Sequence, residues 1–85
     1  MSKIEVRKEF YSNGTLSSKF RYKDDKRDGI CQYFYSNGTL HCKCGYKDDK
    51  LDGICQYFYL DGTLSWKYRY KDGLKHGEEV QYVKD

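Results

Sequence analysis

The residues in this chain best suited to chemistry are four cysteines and two histidines: Cys31, Cys42, Cys44 and Cys55, with His41 and His76. Thiolate and imidazole are the usual ligands of Zn²⁺, which takes about four of them in a tetrahedron. The spacing is not that of a zinc knuckle, because no two cysteines are separated by two residues. Cys42 and Cys44 instead sit one residue apart, which on an extended strand turns both the same way. If the chain makes a two-residue turn at Asn37-Gly38, Cys31 falls opposite Cys44. The same count across the next turn puts Cys55 beside Cys44, with His41 nearby. Three thiols on adjacent strands would then converge. Against a metal stands simple packing, since a buried Cys behaves as a small hydrophobe. Packing is the favoured reading, with metal and disulfide as minor alternatives, and no cofactor is expected.

Other chemistry finds less support. The loops Asp24-Asp25-x-x-Asp28 and Asp48-Asp49-x-x-Asp52 do not have the spacing of a calcium-binding loop, and each contains Lys. Turn-forming Asp is the better reading. No nucleophile elbow, phosphate loop or metalloprotease motif occurs. The chain is therefore read as not an enzyme.

The elements that place these residues follow from an internal repeat. Asn13-Gly14 recurs as Asn37-Gly38 and Asp61-Gly62, a period of 24 residues. Thr15-Leu16, Thr39-Leu40 and Thr63-Leu64 keep step, as do Tyr22-Lys23-Asp24, Tyr46-Lys47-Asp48 and Tyr70-Lys71-Asp72. Each unit has a short turn at Asn/Asp-Gly, a strong hairpin signal. It also has a longer charged segment, as in Asp24 to Gly29, closing on Gly. Strands are predicted at about 4–11, 15–23, 29–35, 39–47, 53–59, 63–71 and 77–83. Short turns between seven strands dictate an antiparallel meander. The expected fold is one all-β domain over residues 1–85: an elongated, twisted sheet of hairpin repeats at 5–28, 29–52 and 53–76, with 77–85 as closing strand.

Alternation assigns the faces. Leu16, Ser18, Phe20 and Tyr22 share one side, with Leu40, Cys42, Cys44 and Tyr46, and with Leu64, Trp66, Tyr68 and Tyr70. The opposite side carries a basic face of Lys19, Arg21, Lys43, Lys67 and Arg69. The preceding strands depend on turn type. A two-residue loop pairs Tyr35 with Leu40 and brings the Tyr/Cys set (Cys31, Tyr33, Tyr35) to the aromatic face. A three-residue loop pairs Phe34 with Leu40 and brings the Ile/Phe set there instead. The three-residue form is slightly favoured. Either way aromatics remain on both sides of a single layer, so the surface around Tyr33, Tyr35, Tyr57, Tyr59, Trp66 and Tyr68 is the candidate binding site.

The pattern Phe58-Tyr59-Leu60-Asp61-Gly62-Thr63-Leu64, continuing to Tyr70-Lys71-Asp72-Gly73-Leu74-Lys75-His76-Gly77, resembles the bacterial variant of the MORN (membrane occupation and recognition nexus) repeat. About three copies cover nearly the whole chain. Asp25 and Asp49 stand where the family usually has Gly, and Asp28 and Asp52 where His is common, so those loops are expected to be tighter or differently bent. The resemblance implies a hairpin array used for protein contacts, with membrane-lipid binding and an antitoxin-like role as further family themes. It supplies no catalytic residues.

Composition bounds the rest. At 85 residues one domain is the limit, and 34% charged residues with 18% aromatic ones suit thin β-structure with wet faces. A net charge of +3 is too mild for a nucleic-acid domain. The start Met1-Ser2-Lys3-Ile4-Glu5-Val6-Arg7 has no signal-peptide core, and no apolar run reaches membrane-span length, which points to the cytoplasm and reduced thiols. A protein partner or self-association is expected, with an anionic membrane surface as the alternative.

Overall fold

The computed structural model of the protein describes residues 3–77 and 80–82. They form one antiparallel sheet of nine strands. These are β1 (Ile4–Phe10), β2 (Leu16–Lys23), β3 (Lys26–Arg27), β4 (Gly29–Phe34), β5 (Leu40–Lys47), β6 (Lys50–Phe58), β7 (Leu64–Lys71), β8 (Leu74–Lys75) and β9 (Val80–Gln81). The order across the sheet is β1-β2-β4-β5-β6-β7-β8, with β3 also on β2 and β9 on β7. The expected meander is there. The closing strand is described only at Val80–Gln81, and the rest of the 77–83 expectation lies partly outside the described residues.

The short turns are three-residue loops. The Gly38 N–H donates to the Tyr35 carbonyl at 2.9 Å, and the Tyr35 N–H donates to the Thr39 carbonyl at 2.8 Å. The Asn37 side chain accepts from the Thr39 N–H at 2.9 Å. The loop closes on glycine because Gly38 has φ +89°, where a Cβ is strained. The copies at Gly14 and Gly62 match it.

The charged segments are not the longer loops expected. Tyr22 pairs with Arg27 and Lys23 with Lys26, leaving only Asp24-Asp25 as the turn. Both have positive φ, 51° and 66°, the signature of a type I′ hairpin. Asp48-Asp49 and Asp72-Gly73 repeat it. Asp at the Gly position therefore leaves the bend unchanged, correcting the expectation of a different loop. The cost is left-handed backbone on a residue with a Cβ. Asp25→Gly is thus expected to raise stability by up to about 1 kcal/mol, measured by urea unfolding. Asp49→Gly should gain less, because the Asp49 carboxylate accepts the Arg27 N–H at 2.7 Å. A loss in Asp25→Gly would show that the Asp side chain matters more than the strain.

Successive repeats are stapled by one tyrosine each. The hydroxyl of Tyr11 donates to the Phe34 carbonyl at 2.5 Å, Tyr35 to Phe58 at 2.7 Å and Tyr59 to Tyr82 at 2.8 Å. The staple follows from the period: each hydroxyl reaches a carbonyl 23 residues on. Tyr35→Phe removes only that oxygen and is expected to cost about 1 kcal/mol, read as a shift in unfolding midpoint. An unchanged midpoint would show the staple to be incidental.

The sheet measures 50 × 38 × 12 Å, so it is a single layer. Its interior is small: Ser18, Cys31, Cys42, Cys44, Cys55 and Tyr68 are the buried side chains among the described residues. All six lie in the middle of one face.

Candidate functional site: an aromatic and thiol face backed by a basic one

The register decides what meets on that face. Phe34 pairs with Leu40, as the three-residue loop requires, but the next pair is Tyr33 with Cys42. His41 is therefore an extra residue on β5, a β-bulge. Ser17 and Ser65 are its counterparts, since Glu9 pairs with Ser18 and Tyr57 with Trp66. The bulge reverses the consequence drawn from the loop: the Tyr/Cys set, not the Ile/Phe set, joins Cys42 and Cys44. It also separates Leu16, Leu40 and Leu64 from the aromatic face, because each pairs with a Phe whose neighbour points the other way.

Two rows result. The first runs Ser18, Tyr33, Cys42, Tyr57, Trp66. The second contains Cys31, Cys44, Cys55 and Tyr68. All four thiols thus meet, with Cys31 opposite Cys44 and Cys44 opposite Cys55. The Sγ atoms of Cys42 and Cys44 are 3.5 Å apart. Tyr46, Leu51, Tyr57 and Tyr70 pack around them. Aromatic rings continue the surface edge to face: Tyr57 to Trp66 at 6.1 Å, Trp66 to Tyr68 at 5.7 Å and Phe20 to Tyr33 at 5.3 Å.

Besides Arg7, whose guanidinium lies 4.1 Å from the Tyr22 ring, two cations that the sequence did not single out cover this face. The Arg27 guanidinium lies 5.0 Å from the Phe20 ring and 5.3 Å from the Tyr46 ring. Lys75 Nζ lies 4.4 Å from the Tyr68 ring. Both follow the tight Asp turns, so a type I′ assignment there would have placed them opposite Tyr22 and Tyr70.

Three of the four thiols, Cys31, Cys42 and Cys44, are held in the protonated form. The hydrogen bond with Cys44 and then burial push the Cys42 thiol far up. In Cys44 the Cys42 bond acts downward, but its bond to Cys55 and burial outweigh it, and the group is pushed up to about 12. Burial raises Cys31, Tyr33, Tyr46 and Tyr57 as well. Cys55 alone is lowered, by the Cys44 hydrogen bond. These four cysteines are free thiols, and among the described residues no group of three acidic, His or Cys side chains is arranged to hold a metal ion. The raised groups keep their protons in the folded state while the unfolded chain releases them. Stability is therefore fully present below about pH 9 and is expected to fall as pH climbs toward about 12, with Cys55 offsetting part of the loss. Urea unfolding at rising pH reads this, and stability that rises over that window would contradict it.

Of the candidate binding residues, Tyr33, Tyr57, Trp66 and Tyr68 come together. Tyr35 and Tyr59 do not join them: they sit at the turns as staples, and Tyr35 stacks on the bulged His41 with ring centroids 4.4 Å apart. Lys19, Arg21, Lys43, Lys67 and Arg69 line the opposite side. One row runs Lys8, Lys19, Gln32, Lys43, Gln56, Lys67. Beside it Arg21 pairs with Val6 and Arg69 with Ile54, while Gly45 opposite Ile30 interrupts the ladder.

The MORN repeat variant profile matches residues 6–24 and 27–48. No curated protein and no solved structure matches the chain at a significant level.

Proposed function

Because this chain is built from repeats of the MORN repeat variant family, we propose that it is a non-enzymatic module that binds a protein partner through its aromatic face. The observation that supports this reading is the thickness of the sheet. At 12 Å it leaves both faces open, and the aromatic one presents Tyr33 and Trp66 at 39% and 38% exposure in the same row. Rigid aromatic side chains at the centre of a patch are the usual anchors of a protein interface. The four free thiols suit a reducing compartment such as the cytoplasm. The test is a photo-crosslinker placed at Tyr33 and, separately, at Lys43 on the other face. A discrete adduct from position 33 in extract of the source cell, lost on Trp66→Ala with the fold retained, is expected. An adduct from position 43 alone would overturn the assignment of the face.

The basic side favours a second reading, docking on an anionic membrane surface. Lys8 stands directly opposite Lys19, a repulsion that a lipid phosphate between them would relieve, and Ile30 and Ile54 are exposed beside the row. Binding to anionic vesicles should then weaken with salt and with Lys19, Lys43 and Lys67 changed to Glu. No binding at low salt would dispose of it. An antitoxin-like role is a special case of the protein-binding reading, and a discrete adduct identified as a toxin would support it.

A further inference from the structure

We propose that β1 pairs with β1 of a second copy of this chain, antiparallel about a two-fold axis through Val6. This keeps the premise that the sheet is an assembly module but uses its edge instead of its aromatic face.

β1 is the terminal strand of the sheet. The Tyr11 N–H bonds inward to Thr15, and the Lys3 carbonyl accepts inward from Asp24. Alternation along the strand then turns the backbone groups of Ile4, Val6, Lys8 and Phe10 outward. Phe10 corresponds to Phe34 and Phe58, whose carbonyls accept the tyrosine staples of the preceding repeats. The edge is thus a hydrogen-bonding surface in want of a strand.

Its side chains select the partner. On the aromatic face β1 carries Lys3, Glu5, Arg7 and Glu9, alternating in sign. Within one strand Glu5 already lies between Lys3 at 3.0 Å and Arg7 at 3.5 Å. Only even-numbered residues can exchange outward hydrogen bonds, which restricts the two-fold registers. With Val6 opposite Lys8, Arg7 meets Arg7 and Glu5 meets Glu9. With Ile4 opposite Val6, Lys3 meets Arg7 and Glu5 meets Glu5. Both repel. With Val6 opposite Val6, Glu5 meets Arg7 and Lys3 meets Glu9, so every facing pair is complementary along the strand. The other side then covers Val6, which is 52% exposed, and sets Ile4 against the stem of Lys8. A single segment whose aromatic-face charges complement themselves in a register that its backbone allows fits a second copy better than an unrelated strand.

Sedimentation equilibrium tests this on the 85-residue chain, with circular dichroism as the check on folding. A concentration-dependent dimer is expected, weakened by salt. Arg7→Glu alone puts Glu opposite Glu, and Glu5→Arg alone puts Arg opposite Arg. Each should weaken the dimer by at least about tenfold. The double variant Glu5→Arg/Arg7→Glu restores the complement and should dimerise again. An equimolar mixture of the two single variants should form the heterodimer. Val6→Pro removes an outward N–H at the axis and should leave a monomer. A wild-type monomer at all concentrations, or a dimer indifferent to these reversals, would overturn the proposal. Neither result touches the cross-link at Tyr33, which reads the aromatic face separately.

Discussion

Tyr68→Ala is expected to remove most of the protein's stability and leave it marginally folded at room temperature. Tyr68 is the one large aromatic in the buried set, 9% exposed. Its ring meets Tyr57 at 6.3 Å, Trp66 at 5.7 Å and Tyr70 at 6.2 Å, with Lys75 Nζ on its face. Truncating a buried aromatic costs about 3–5 kcal/mol. A small domain has only about 5 kcal/mol to lose, and in a single layer no second sheet closes over the cavity. Urea unfolding followed by the fluorescence of Trp66 measures it. A loss below about 1 kcal/mol would mean that the thiol and aromatic row is not the core.

The second large effect is at Gly45. A Cβ there would collide with the Asp52 carbonyl oxygen, a backbone atom with no room to yield. The equivalent positions hold Arg21 and Arg69, whose carbonyls accept from Asp28 at 3.0 Å and His76 at 2.7 Å. In the middle copy β6 instead runs unbroken from Lys50 to Phe58, and its backbone crosses the place of that side chain. Gly45→Ala is expected to cost about 2–3 kcal/mol. Gly14 is the control: a Cβ there meets nothing within 4 Å, but φ is +87°, so Gly14→Ala should cost only about 1 kcal/mol. The reverse ranking in urea unfolding would contradict the close approach at Gly45.

The repeat explains why so much of the fold was legible. Asn37-Gly38 and its copies mark one set of turns unambiguously, and the strands between them can only be antiparallel. The family and the all-β meander followed from those residues. The tight Asp24-Asp25 turn was harder to see, because its strain is carried by Asp, and the Gly that draws the eye comes four residues later at Gly29. What lay beyond reading was the bulge. His41, Ser17 and Ser65 carry no side chain that announces an extra residue, yet that residue decides which side of the sheet every following group takes. The thiols met as counted, Cys31 with Cys44 and Cys44 with Cys55, but by a different route: a three-residue loop followed by a bulge keeps the parity of a two-residue loop. The same parity left Leu40 on the wrong side of the expectation. Arg27 and Lys75 went unnoticed because the segments that carry them looked like loops.

That parity determines that Tyr33, Tyr57 and Trp66 share a surface with the buried thiols and that the lysines lie behind it. Cross-strand Hα–Hα contacts in a nuclear Overhauser spectrum read it directly. Phe34 should contact Leu40, and Gln32 should contact Lys43. A contact of Gln32 with Cys42 in place of Lys43 would mean no bulge at His41. It would move Cys31 and Tyr33 to the basic side and dismantle the aromatic face.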